Sequence, residues 1–270
     1  MTDDTPDTRR LYLDLIRDVI INEIYKDPPL RRTLGGKVMA ALGLRAGHGG
    51  RRRYDPERRA RGLDWPSVAH SMIGRQRMDN LRETLETAIA EGVPGDVVET
   101  GVWRGGACIF ARAILKAHGE TGRTVWVADS FAGLPPPDAD TYAADAGDTH
   151  HTVDALAIPR AQVEENFRVY GLLDNRVRFL EGWFKDTLPD APIDRIAVLR
   201  LDGDMYQSTM DALVALYPKV SPGGFVIVDD YHAVEGCRKA VHDYLDARQP
   251  GIPVEIREID GTGVYWRLAA

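Results

Sequence analysis

A chain of 270 residues is long enough for one large domain with a full core and some residues left over for a lid. Its 28% charged content is ordinary for a globular protein, and a formal net charge of -7 argues against a nucleic-acid partner. Two cysteines, Cys108 and Cys237, are too few for a disulfide framework and lack metal-ligand spacing. The first residues carry no apolar signal core, and no apolar run reaches the roughly 18 residues of a membrane span. A reduced, cytoplasmic setting is the expectation. In chain order, residues 1–9 are polar and read as disordered. Residues 10–26 place Leu11, Leu13, Leu15, Ile16, Val19, Ile20 and Ile24 at helical spacing. Residues 44–63 concentrate arginine and glycine, which reads as a mobile, solvated loop. The sharper alternative for that loop is a flap over a site.

From about residue 75 the pattern changes. A helix over 76–92 is stopped by Gly92 and Pro94. Apolar strands over 96–102, 124–130, 177–183, 196–202 and 224–230 then alternate with helical stretches. The last residues read as a closing hairpin around Gly261 and Gly263. Strand–helix alternation predicts an α/β, Rossmann-like doubly wound fold: a mostly parallel, seven-stranded sheet covered on both faces. Two final antiparallel strands are expected beside five parallel ones, as in methyltransferases. Residues 1–75 are taken as an N-terminal helix and lid segment, and 76–270 as the catalytic domain.

In such sheets ligands bind beyond the carboxyl ends of the strands. The first strand runs into ETGVWRGG at 99–106. Gly101 permits a tight turn, and Gly105 and Gly106 allow close backbone approach. The spacing departs from the dinucleotide glycine fingerprint, with Trp103 where a pyrophosphate would need room. Adenosine without phosphates needs less opening, and Glu99 could accept from an ammonium group. Asp129 ends the second strand, 28 positions after Gly101, near where nucleotide-binding sheets place an acid on ribose hydroxyls. Asp129 and Ser130 would equally cap a helix. Gly182 and Trp183 end the third strand, where an adenine would lie.

The fourth strand ends in Asp202 and Asp204, the fifth in Asp229 and Asp230. Adjacent parallel strands bring these ends together. Four crowded carboxylates repel unless a cation or shared protons compensate, and oxygen-only ligands suit Mg²⁺, with Ca²⁺ or Mn²⁺ as alternatives. Bound Mg²⁺ would lower the pKa of an acceptor hydroxyl, and a nearby carboxylate would take its proton.

At these residues, together with 65–81 and the closing VYWR, the sequence resembles the macrocin O-methyltransferase (TylF-type) family over about 65–268, plus the LYLDLIRDVI helix at 11–20. That resemblance implies S-adenosylmethionine and Mg²⁺ as cofactors and a deoxysugar hydroxyl of a glycosylated antibiotic as acceptor. It implies that Asp202, Asp229 and Asp230 hold the metal and that Asp204 is the general base. It further implies that Met72, Glu99, Asp129, Ser130 and Trp183 contact the cofactor. Met205 stands where catechol methyltransferases carry a lysine, which moves the base role to Asp204. Segment 27–63 has no recognisable counterpart, and a histidine of the lid over 135–158 is expected at either His150 or His151, solvent exposure being the plain alternative for both. An assembly of identical subunits is expected, with no nucleic-acid or membrane partner. A dehydrogenase, a non-catalytic adenosine-binding module and a phenolic acceptor are the competing readings.

Overall fold

The computed structural model describes residues 7–30, 53–248 and 254–269. Helix α1 (Thr8–Ile20) begins where Asp7 accepts the Arg9 N–H, so its first turn lies inside the 1–9 stretch expected to be disordered. The helix stops before 26. Asn22 and Lys26 take positive φ, and Leu11, Leu15 and Ile24 are exposed, leaving Leu13, Ile16 and Ile20 as its buried stripe.

The described part of the Arg-rich segment is not a solvated loop. Residues 44–52 lie outside the described residues. Asp55 then caps α2 (Pro56–Ala60), and Arg59 is 0% exposed. Its guanidinium bonds Asp27 at 2.6 Å and Asp64 at 3.0 Å, and donates to the Ile21 and Asp27 carbonyls. Asp27 in turn accepts from the backbone of Val68, so one buried arginine ties three stretches of the first 75 residues into one body.

Helix α3 (Gly74–Ala90) leads into β1 (Asp96–Thr100), followed by α4 (Gly106–Ala117), β2 (Val125–Asp129), α5 (Arg160–Val169), β3 (Val177–Glu181), α6 (Phe184–Thr187), β4 (Ile196–Leu201), α7 (Tyr206–Leu216), β5 (Val220–Val228), α8 (Glu235–Arg248), β6 (Arg257–Glu258) and β7 (Val264–Arg267). The strands pair in the order β3-β2-β1-β4-β5-β7-β6, which is the expected seven-stranded sheet. One detail differs from expectation. β7 is antiparallel to both β5 and β6, so β6 runs with the parallel strands and only β7 opposes them.

Alternate strand residues feed two cores. Val97, Val127 and Ile227 pack beneath α1, α3, α4 and α5 on one face, while Val98, Trp126, Leu199 and Val226 pack beneath α7 and α8 on the other. Helix α1 contributes Leu13, Ile16 and Ile20 to the first of these cores, alongside residues of α4. The strand order reverses between β1 and β4, which marks the crevice where such sheets bind ligands. Among the described residues, no helix is long and apolar enough to cross a membrane.

Candidate active site

Register decides what meets at the crevice. Thr100 and Val228 both lie opposite Leu201, so β1, β4 and β5 end level with one another. Asp202 N–H donates to Thr100, and Asp229 N–H donates to Leu201. Gly101 turns immediately there at φ +81°, and a Cβ on it would stand 1.7 Å from the Asp202 carbonyl. The glycine is therefore needed both for the turn and for the approach of the two strand ends.

The acids converge as their strand-end positions imply. One oxygen each from Asp202, Asp229 and Asp230 can be chosen so that all lie within 4.8 Å of one another. Asp204 follows at φ +56°, and its N–H donates to Asp230 Oδ2 at 3.2 Å. That is an uncommon backbone state for a residue with a side chain, held by its surroundings. Among the described residues, no hydrogen bond engages the Asp204 carboxylate, which faces the cavity. Burial, then the Asp202 charge, pushes this group up to about 7. Burial and the neighbouring Asp204, Asp202 and Asp229 hold Asp230 well above the usual carboxylate range.

Two buried arginines brace the cluster, and neither was singled out in the sequence. Arg200 projects from β4 and donates to Glu99, to Asp229 and to Asp202, the last at 2.8 Å. Arg77 from α3 donates to Asp229 and, at 2.8 Å, to Asp260 in the β6–β7 turn. The signal for Arg200 was present: a charged side chain inside the apolar run of a central parallel strand must have buried partners. Four carboxylates (Glu99, Asp202, Asp229 and Asp260) bond the two guanidiniums, and Asp204 and Asp230 lie beside them with no such bond among the described residues. The excess of negative charge, the all-oxygen donors and the unengaged Oδ1 atoms of Asp202 and Asp230 fit a hard divalent cation. Replacing Arg200 by methionine strips Glu99 and Asp229 of a charge partner. A loss of about 3–5 kcal/mol in unfolding free energy is expected, measured by denaturant titration.

The residues expected at the cofactor end line the same cavity of about 560 Å³: Met72, Glu99, Gly101, Asp129, Ser130, Gly182 and Trp183. Several are already engaged. Glu99 Oε1 accepts from Arg200 and Oε2 from the Cys108 thiol, and burial pushes the carboxyl up to about 7. Asp129 accepts the N–H groups of Val102 and Phe131, each at 2.7 Å. It caps no helix; it fixes the glycine turn to the end of β2. The Ser130 hydroxyl closes its own turn on Gly133. Trp183 opens α6.

At the far end of the cavity the structure separates the two histidines. His150 lines the cavity with its Nδ1 2.7 Å from Asp148 Oδ2, whereas His151 is exposed and absent from the cavity wall. Gly62, inside the Arg-rich stretch, and Trp65, just after it, also line the cavity, so the end of that stretch borders the site.

This arrangement has close relatives. The family model described as macrocin-O-methyltransferase (TylF) matches residues 9–268. The chain belongs to the TylF macrocin-O-methyltransferase family. It is 55% identical to the 8-demethyl-8-(2,3-dimethoxy-alpha-L-rhamnosyl)-tetracenomycin-C 4'-O-methyltransferase of Streptomyces olivaceus, over 98% of this chain and 95% of the relative. It is 51% identical to the mycinamicin III 3''-O-methyltransferase of Micromonospora griseorubida, over 96% of this chain and 97% of the relative. The solved structure of the O-methyltransferase NovP superposes with a TM-score of 0.87 at 48% identity, covering 97% of this chain and all of that one. The chain is accordingly an O-methyltransferase, and the match across 9–268 takes in α1 and the Arg-rich segment along with the sheet.

Proposed function

We propose that the protein methylates a deoxysugar hydroxyl of a glycosylated natural product, with S-adenosylmethionine as donor and Mg²⁺ as an essential partner. The observation that carries this reading is the convergence of Asp202, Asp204, Asp229 and Asp230 on one cavity that also holds the Gly101 turn and Asp129. The relatives named above act on sugar positions of tetracenomycin and mycinamicin glycosides, at 4' and 3''.

In this reading Asp202, Asp229 and Asp230 hold the cation, which lowers the pKa of the acceptor hydroxyl when bound. S-adenosylmethionine supplies an electrophilic methyl carbon on sulfur. Asp129 would accept from the ribose hydroxyls on lone pairs not used by Val102 and Phe131. Trp183 would cover the adenine, and Glu99 with the Gly101 turn and Met72 would hold the methionine end. Asp204 would take the proton that the acceptor hydroxyl loses on methylation, and the donor would leave as S-adenosylhomocysteine. Arg77 and Arg200 hold Asp229 in place and limit the repulsion among the acids.

A methyl-transfer assay over deoxysugar glycosides, their aglycones and catechols tests the acceptor class. Label is expected only in the glycosides, on the sugar. Label in catechols alone, or in no member of the panel, would overturn it.

A further inference from the structure

Residues 143–157, which bring His150 and Leu156 to the cavity wall, form three single turns of 3-10 helix, Ala143–Asp145, His150–Thr152 and Asp154–Leu156. Such turns hold few internal hydrogen bonds and need outside anchors. Two anchors exist, and they attach to opposite halves of the site.

The first is Asp145, which is 3% exposed although its neighbours Ala144 and Ala146 are exposed. Its Oδ1 accepts Tyr206 N–H at 2.7 Å and its Oδ2 accepts Gln207 N–H at 3.0 Å. These are the first two amides of α7, whose own N-cap, Met205, offers no side-chain acceptor. Asp145 thus caps from another segment the helix that begins two residues after Asp204. The second anchor is Trp103 in the glycine turn after β1. Its indole Nε1–H donates to the Ala155 carbonyl at 2.9 Å, while the Arg104 guanidinium lies 4.1 Å from its ring centre. Trp103 holds this pose with φ at +47°.

Between the anchors, Asp148 accepts both the backbone N–H of His150 at 2.8 Å and its ring Nδ1 at 2.7 Å. That bond fixes the ring of a residue on the cavity wall, and among the described residues no hydrogen bond engages Nε2. We propose that Trp103 and Asp145 are positioning residues that clamp the 143–157 segment to the cofactor turn and to α7, holding His150 against the bound acceptor. This rests on the acceptor reading above; the clamp itself does not depend on which molecule fills the cavity.

Hydrogen exchange on the full-length chain tests the clamp without any substrate. Trp103→Phe keeps a ring over Arg104 and removes the donor together with part of the indole's bulk. Exchange across 143–157 is expected to quicken by about tenfold, the worth of one hydrogen bond, with β4 and β5 unchanged. Asp145→Ala should do the same, with Asp145→Asn intermediate because one acceptor oxygen remains. Kinetics then test the role. Trp103→Phe is expected to lower kcat/KM for a glycoside acceptor about tenfold in the wild-type background and less than about twofold in a His150→Ala background, since a shared function is lost only once. S-adenosylhomocysteine affinity should be unchanged in Asp145→Ala, which lies outside the cofactor turn. Unaltered exchange in the segment, or equal losses in both backgrounds, would overturn the proposal. If no glycoside is methylated even by the wild type, the acceptor reading fails and exchange alone decides the clamp.

Discussion

Asp204→Asn is expected to lower kcat by about 10³-fold, within the range that a positioned general base supplies. The substitution suits the site. Asparagine tolerates the left-handed backbone that residue 204 adopts, and the main-chain bond from its N–H to Asp230 is retained. Cofactor and Mg²⁺ affinities, read by calorimetry, should therefore stay within a few-fold of wild type. This pattern separates a catalyst from a module that merely binds adenosine and an ion. Retention of turnover above about a tenth of wild type would show that the acceptor proton leaves by another route.

Asp230→Asn is expected to uncouple metal from stability. In the wild type, Mg²⁺ at about 100 times its dissociation constant should add about 2.7 kcal/mol to the unfolding free energy, because only the folded chain gathers the three carboxylates. Without a cation, Asp230 is buried beside three other acids and is held toward its neutral form. Its neutralisation should leave stability in EDTA equal to or above that of the wild type, abolish the Mg²⁺-dependent gain and lower turnover by about 100-fold or more. A melting experiment at two metal concentrations reads both effects. A variant that melts lower in EDTA yet still responds to Mg²⁺ would mean that Asp230 is structural.

The sheet and the acid cluster were legible because they rest on short-range rules. Apolar runs of strand length alternating with helical periods dictate a doubly wound sheet, and carboxylates placed directly after buried strands must sit at its carboxyl edge. Equal strand ends then follow from register. What escaped was set by long-range pairing. Arg59 lay in a run of arginines whose composition reads as solvated, yet Asp27 and Asp64 bury it completely. Arg77 looked like one more charge on an amphipathic helix, and only the fold places it against Asp229 and Asp260. The choice between His150 and His151 could not be read from a loop of 3-10 turns, because such turns carry no hydrophobic period; Asp148 decides it by capturing one ring. The stop of α1 at Ile20 was hidden by Ile24, whose apolar side chain continues the helical spacing although it is exposed.

The most direct test of the account follows methyl transfer to a deoxysugar glycoside from protein freed of metal by EDTA, then supplied with excess Mg²⁺. Transfer should fall to background in the chelator, return with Mg²⁺ and fail to return in the Asp230→Asn variant. Undiminished transfer in EDTA would contradict it, because the strand-end acids would then be doing their work without a cation.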